Sequence, residues 1–252
     1  MKPEKSGEIV NVLKQKNGII IMIYNNIKRA RFINRPNRFI ANIEIDGQRE
    51  LCHVKNTGRC KELLTEGAKI YVQELDCSRR KTKYDLIAVY KGDRLINIDS
   101  QAPNKVFHEY LLNGQLFQNI KLIKSERKYK TSRFDFYIET DDKKVFIEVK
   151  GVTLEENGVA MFPDAPTERG IKHIKELSDC LDYGYEAYIC FIIQMKDVLC
   201  FTPNYKMQKE FGESLEKAKK KGVNIVAIDC EVTKNSISTR NTVDVILKNL
   251  GQ

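Results

Sequence analysis

From residue 39 onward the chain alternates apolar and polar positions in short runs. Residues 39–45 and 48–54 read as strands of period 2. They are joined by Asp46-Gly47, a dipeptide favoured in two-residue hairpin turns because both positions take positive φ. Residues 69–75 and 83–90 repeat the pattern, and 56–64 (NTGRCKELL) reads as a loop entering a short helix. Short strands with one small helix predict a closed barrel of the OB type, which binds oligonucleotides across one face. A five-stranded barrel without a ligand fits the same pattern. After residue 99 the rhythm changes. Helical spacing covers 104–117 and a strand 120–126, followed by a hairpin and a loop with two prolines at 157–169. Thr167 is a fair N-cap for a helix running to about residue 182. An apolar strand at 185–194, a Lys-rich amphipathic helix at 210–221 stopped by Gly222, and a buried strand at 223–230 complete the order. The expected class is α/β (α+β). Its divisions are an extension at 1–28, an OB-like nucleic-acid-binding domain at 29–98 and a mixed-sheet domain at 99–252.

The hairpin at 132–154 (SRFDFYIETDDKKVFIEVKGVTL) carries the candidate chemistry. If it turns at Asp141-Asp142, residues whose numbers sum to 283 face each other, which sets Asp135 against Glu148. Directly opposed Cβ atoms lie roughly 5 Å apart, where two carboxylates destabilise a sheet unless something positive sits between them. A hard cation such as Mg²⁺ (or Mn²⁺) suits the place, because Mg²⁺ binds oxygens at about 2.1 Å and keeps several waters. Asp135, Glu148 and the Val149 carbonyl would hold it. Strand alternation puts Lys150 on the face of Glu148, where its ammonium could donate to a water or a phosphoryl oxygen. An Asp followed by Glu-x-Lys on the next strand is a minimal set for metal-assisted phosphodiester hydrolysis. A solvated Glu–Lys pair near a turn Asp is the competing reading.

Charge sharpens the picture. The net charge is +9, and residues 1–100 hold 20 Lys and Arg against 12 Asp and Glu, while the remainder hold 23 against 22. A basic excess confined to one end favours an anionic polymer or surface, or is simply a basic face. Within it, Arg29, Arg31, Arg35 and Arg38 interleave with Phe32 and Phe39, a mixture suited to phosphates and stacked bases, or to a solvated edge over two core rings. Arg59 adds charge to the 56–64 loop, and Arg79, Arg80 and Lys81 form a basic connection. Asp164, Glu168 and Arg169 cluster at a helix start, where phosphate is attracted. His173, one turn on, reads as a helix-surface or core-edge residue, with a general base as the alternative. Seven cysteines without any C-x-x-C argue for reduced thiols and against zinc. The longest apolar run near the start, 19–23, is too short for a signal or membrane segment, so the expected location is the cytoplasm.

The order of elements, with Asp on the second strand and Glu-x-Lys on the third, resembles the PD-(D/E)XK restriction-endonuclease-like superfamily. More specifically, the stretches RPNRF (35–39), HVKNTGR (53–59), RKTKYDLIAV (80–89), NIDSQAPN (97–104), SRFDF (132–136), EVKGVTL (148–154) and FPDAPTERG (162–170) resemble the sugar fermentation stimulation protein A (SfsA) family. The resemblance implies an OB-like domain, a nuclease-like domain, DNA binding and a regulatory link to sugar (maltose) metabolism. It matches Asp135 and Glu148 to the metal-binding acids, Lys150 to the catalytic lysine and Glu109 to an accessory acid. Phe134 stands where the superfamily pattern has proline. Two functions follow as expectations: a Mg²⁺-dependent DNA nuclease, or a non-catalytic DNA-binding regulator. RNA or a small nucleotide also suits the barrel.

Overall fold

The computed structural model describes residues 14–16, 19–56, 58–76 and 80–248. Two short strands open it, β1 (Lys14–Lys16) and β2 (Ile19–Ile23). The first domain follows with β3 (Ile27–Asn37), β4 (Ile40–Ile45), β5 (Gln48–Val54), β6 (Lys69–Glu74), β7 (Tyr84–Lys91) and β8 (Arg94–Asn97). These strands run in the order β5-β4-β3-β6-β7-β8, and a parallel pairing of β5 with β7 closes β3 to β7 into the expected OB barrel. Alternation explains its core: Ala41, Ile43 and Ile45 of β4 and Cys52 and Val54 of β5 are all buried. At the β4–β5 turn Asp46 and Gly47 take φ of 52° and 75°, as the Asp-Gly signal requires.

The short helix expected within 56–64 does not form. Residues 61–64 fold as turns, Cys60, Leu63 and Leu64 are buried, and Arg35 binds the backbone nearby. The Arg35 guanidinium donates to the carbonyls of Gly58, Arg59, Arg38 and Asn56 at 2.6–3.0 Å. With its four terminal N–H groups occupied, Arg35 pins a loop and does not offer the phosphate contact expected of it.

The second domain comprises α1 (Ala102–Leu112), β9 (Leu122–Tyr129), β10 (Ser132–Glu139), β11 (Lys144–Val152), β12 (Leu154–Glu156), β13 (Val159–Phe162), α2 (Glu168–Cys180), β14 (Glu186–Ile193), β15 (Cys200–Pro203), α3 (Lys209–Lys221), β16 (Asn224–Val232) and β17 (Ser236–Val243). An eight-stranded mixed sheet runs β1-β2-β17-β16-β14-β11-β10-β9, with β11, β14 and β16 parallel at its centre. Those central strands are covered on both faces, α1 packing on one and α2 and α3 on the other, so β14 (EAYICFII) is almost continuously apolar. The expected loop at 157–169 in fact begins with β13, part of a small β12-β13-β15 sheet. Thr167 caps α2 as expected, accepting from the Gly170 amide at 3.0 Å.

The two domains are tied by polar contacts across their seam. The Asn97 amide donates to the Gln194 carbonyl at 2.9 Å. Buried Glu155 accepts ion pairs from Lys91 and Arg94, each at 2.9 Å. Lys55 bridges Asp85 and Asp99, both buried, at 3.2 Å each. The cysteines at 52, 60, 180, 190, 200 and 230 are buried free thiols, and Cys77 lies outside the described residues. Among the described residues no helix is long and apolar enough to cross a membrane.

Strand β2, for which the sequence suggests no role, extends the sheet by pairing with β17 and packs on α1. Glu109 is sealed at that contact, 3% exposed, with neither carboxylate oxygen hydrogen-bonded to a side chain. Its surroundings are Met22, Tyr24, Lys105 and Cys230, and it is not among the groups around Asp135, so the accessory-acid position expected for it is not where it lies. Burial pushes the Glu109 carboxyl up to about 7. The folded protein therefore keeps a proton that the unfolded chain gives up near pH 4.5. The associated stability is full below that pH and is lost as pH rises through about 7. Glu109→Gln is expected to raise unfolding stability by about 2 kcal/mol at pH 8 and to change it little at pH 4, as urea titrations at the two pH values will show.

Candidate metal centre and nucleic-acid interface

The β10–β11 hairpin has the expected register, since Phe136 pairs with Ile147 and Glu139 with Lys144. The ladder stops one residue short of Asp135. Phe134 packs against Phe146 and His173, with ring centroids 5.4 and 6.0 Å away, whereas Phe136 packs against Phe107 of α1 at 5.5 Å. Residues two apart in a regular strand share a face. Here they point to opposite faces, so β10 rotates at Asp135, opposite Glu126 of β9, which takes a φ of 58°. Asp135 is thus not a simple cross-strand partner of Glu148, as the alternation suggested. Its Oδ2 accepts the Val149 amide at 2.8 Å, and its Oδ1 accepts the Asn104 side chain of α1 at 2.8 Å.

Glu148 lies on the α2 face, 3% exposed. Its Oε1 receives both Lys150 Nζ and His173 Nδ1 at 2.5 Å. Arg169 Nε donates to His173 Nε2 at 3.3 Å, which leaves the ring proton on Nδ1, directed at Glu148. The other oxygen, Glu148 Oε2, is buried without a hydrogen-bond partner. Burial works to raise the Glu148 carboxyl, but His173 and Lys150 outweigh it and hold the group below its ordinary range. Asp135 accepts hydrogen bonds only from neutral donors, with the Lys150 charge a lesser influence. Burial first, and then the Glu148 charge, push it up to about 6. One carboxylate is held ionised while its neighbour stands near neutrality.

Among the described residues no group of three or more His, Cys, Asp and Glu side chains forms a ready metal cage. A cation that keeps most of its waters does not need one. Two carboxylates, one with an orphaned buried oxygen, fit such an ion, because an unpartnered oxygen in the interior is costly unless something positive fills the place.

On the barrel, the other expected nucleic-acid residues fall into distinct environments. Arg29 and Arg31 are exposed on β3 and line, with Lys69, Tyr71 and Tyr90, an open depression of about 570 Å³. Arg38 is exposed with its guanidinium 5.3 Å from the Phe39 ring centre, and Phe39 is itself exposed while Phe32 is core. Arg59 and Lys81 are exposed. Arg80 is tied to Asp85 at 2.5 Å, and Arg79 lies outside the described residues. Arg169 sits in the first turn of α2, engaged with His173.

Comparison with known proteins places this arrangement. Residues 33–98 match the SfsA N-terminal OB domain, and residues 101–236 match the sugar fermentation stimulation protein RE domain. The chain belongs to the sugar fermentation stimulation protein (SfsA) family. A family member from Clostridium beijerinckii is 62% identical over 226 residues, covering 90% of this chain and 100% of that protein. One from Ruminiclostridium cellulolyticum is 60% identical with the same coverage of both chains. The solved structure of Pyrococcus furiosus SfsA, described as a complex with Ca²⁺, is 30% identical, covers 90% of this chain and 98% of its own, and superposes with a TM-score of 0.82. The SfsA resemblance and the OB-plus-mixed-sheet fold read from the sequence therefore stand.

The sequence did not single out Asn104, and it favoured a structural role for His173. Asn104 lies in the NIDSQAPN stretch and meets Asp135 only through the docking of α1; His173 meets Glu148 only through that of α2. His173→Ala strands the Glu148 charge with one donor fewer and is expected to cost about 2–3 kcal/mol of stability. His173→Asn, which keeps a donor near the Nδ1 position, should recover much of that loss in the same denaturant titration.

Proposed function

We propose that this SfsA-family protein is a divalent-cation-dependent nuclease that hydrolyses phosphodiester bonds in DNA held by its OB domain. The observation that carries the reading is the buried, unpartnered Glu148 Oε2 beside Asp135, with the Lys150 ammonium on the same carboxylate. Mg²⁺ or Mn²⁺ at Asp135, Glu148 and the Val149 carbonyl would, when bound, neutralise phosphate charge and acidify a water. The Ca²⁺ of the P. furiosus relative supports a divalent site in the family fold. The chain's own groups do the rest. Asn104 and the Val149 amide fix the Asp135 carboxylate, and His173 with Arg169 fixes that of Glu148. Lys150 can leave its pair with Glu148 to donate to a phosphate oxygen, placing positive charge where negative charge grows during cleavage. A preorganised donor of this kind is worth several kcal/mol in a water-poor site. Exposed Arg29, Arg31, Arg38, Arg59 and Lys81 supply phosphate contacts, and Phe39 offers a face for a base. Cytoplasmic location and DNA over RNA belong to this same reading.

Calorimetry with Mn²⁺ is expected to show one site in the wild type and none in Asp135→Ala, with plasmid nicking lost in parallel. Because Asp135 must give up its proton to bind, metal affinity should rise about tenfold per pH unit up to about pH 6 and level off above it. Lys150→Ala should keep the metal and lose about a hundredfold or more in cutting rate. No metal and no cutting in the wild type would leave a DNA-binding regulator as the better reading.

Binding to DNA should weaken linearly in the logarithm of salt concentration. Arg29→Ala and Arg31→Ala should each reduce the slope by about one, measured by fluorescence anisotropy across a salt series. Slopes unchanged in both variants would move the DNA path off β3.

A further inference from the structure

A small cavity of about 190 Å³ lies between the domains, lined by chain neighbours of the candidate metal-site residues. Gly151, on its wall, directly follows Lys150, and Pro103 directly precedes Asn104, the residue that holds Asp135. The cavity therefore opens one residue away from both halves of the site. Two glycines bring its walls together. A Cβ on Gly151 would lie 2.6 Å from Pro103 and 2.7 Å from Gln194 Oε1, and one on Gly58 of the OB-domain loop would lie 2.4 Å from Asp164 Oδ2.

The polar groups on these walls are poorly satisfied. Gln194 is 1% exposed, and its Nε2 donates to Asn97 Oδ1 and the Asp99 carbonyl at 2.9 and 3.1 Å. Its Oε1 accepts no hydrogen bond among the described residues, and neither does the Asp164 carboxylate. Asn56 uses its Oδ1 on the Gly58 amide, which leaves its side-chain N–H₂ as a donor. Pro103 and Phe162 add apolar surface. Besides the Ser100 and Thr153 hydroxyls, the wall thus offers two free acceptors and one free donor around a space of single-base size. A carboxylate there repels phosphate, and the space is too narrow for a base pair. Exocyclic amines on adenine, cytosine and guanine supply the donors that Asp164 and Gln194 lack, whereas thymine offers mainly carbonyl oxygens.

We propose that this cavity holds one unpaired nucleobase bearing an exocyclic amine, next to the phosphate cleaved at Lys150, so that the substrate is a strand single or locally unpaired at the cut. The assignment rests on the nuclease reading. A base already unpaired avoids the unstacking cost that a fully paired one would meet on entering.

The test is binding and cleavage of short oligo-dC, oligo-dA and oligo-dT by wild type, Asp164→Asn and Asp164→Ala, with anisotropy for binding and Mn²⁺ for cleavage. Wild type should bind oligo-dC and oligo-dA about tenfold tighter than oligo-dT, the size of one base-edge contact. Asp164→Ala, which removes the acceptor, should bring that ratio close to one while oligo-dT affinity holds, whereas Asp164→Asn, whose amide oxygen still accepts, should keep part of the preference. Equal wild-type affinities, or a preference undiminished in Asp164→Ala, would overturn the proposal. So would cutting a fully paired duplex as fast as the same duplex with one unpaired base. A base preference without cleavage in any metal would support the cavity and remove the nuclease reading. Cleavage without preference would remove the cavity alone.

Discussion

Two carboxylates in one partly dry site cannot both remain ionised without positive charge or donors, and the second domain is arranged around that constraint. Donors are shared unequally between Asp135 and Glu148. Glu148 takes a lysine and a histidine on one oxygen, while Asp135 takes an amide N–H and an asparagine. The consequence is a division of roles. Glu148 is the fixed charge, and Asp135 is the group whose proton responds to whatever enters the site. The donors come from three elements, α1, α2 and β11, so the site forms only when helices dock on both faces of the sheet. Packing and electrostatics are one problem here.

That dependence explains what the sequence could and could not reveal. The hairpin register was legible because the polar Asp141-Asp142 turn and the flanking alternation are local, and the pairs from Phe136–Ile147 to Glu139–Lys144 follow it. The rotation at Asp135 was not legible. It involves Glu126 on another strand and the divergent packing of Phe134 and Phe136. His173 looked like an ordinary position on an amphipathic helix because its partner lies 25 residues away in the chain. Arg35 sits in a run that reads as phosphate-binding, and only the folded loop at 56–59 reveals that carbonyls consume it. Strand β17 (SISTRNTV) is too polar to read as part of a sheet interior. It pairs between β16 and β2 near the sheet's edge, where one covered face suffices.

The seam between the domains is held by charge rather than by an apolar face alone. Glu155 with Lys91 and Arg94, and Lys55 between Asp85 and Asp99, are buried or half-buried pairs. Such pairs gain little net stability over apolar contacts, because desolvation offsets the attraction. Removing one partner, however, leaves a buried charge exposed to the full penalty, so sliding the domains apart is costly at each pair. Tyr24 joins the same seam from just beyond β2, its hydroxyl within 3.3 Å of Asp99 and 3.1 Å of Asn97.

On the proposed nuclease reading, this bears on how a strand could reach the candidate metal centre. If the barrel moved freely, phosphate contacts on β3 would add binding energy without placing any bond at Lys150. With the barrel pinned through Lys55, Asn97 and Glu155, Asn56 and Gly58 line one cavity with Gly151, and the space between them is a property of the fold. Binding energy gathered on the barrel can then be used for position at the reacting phosphate, which is where preorganised sites gain most of their rate. The glycines at 58 and 151 matter for the same reason: a methyl group at either position would push the two walls apart and loosen the geometry that the ion pairs maintain.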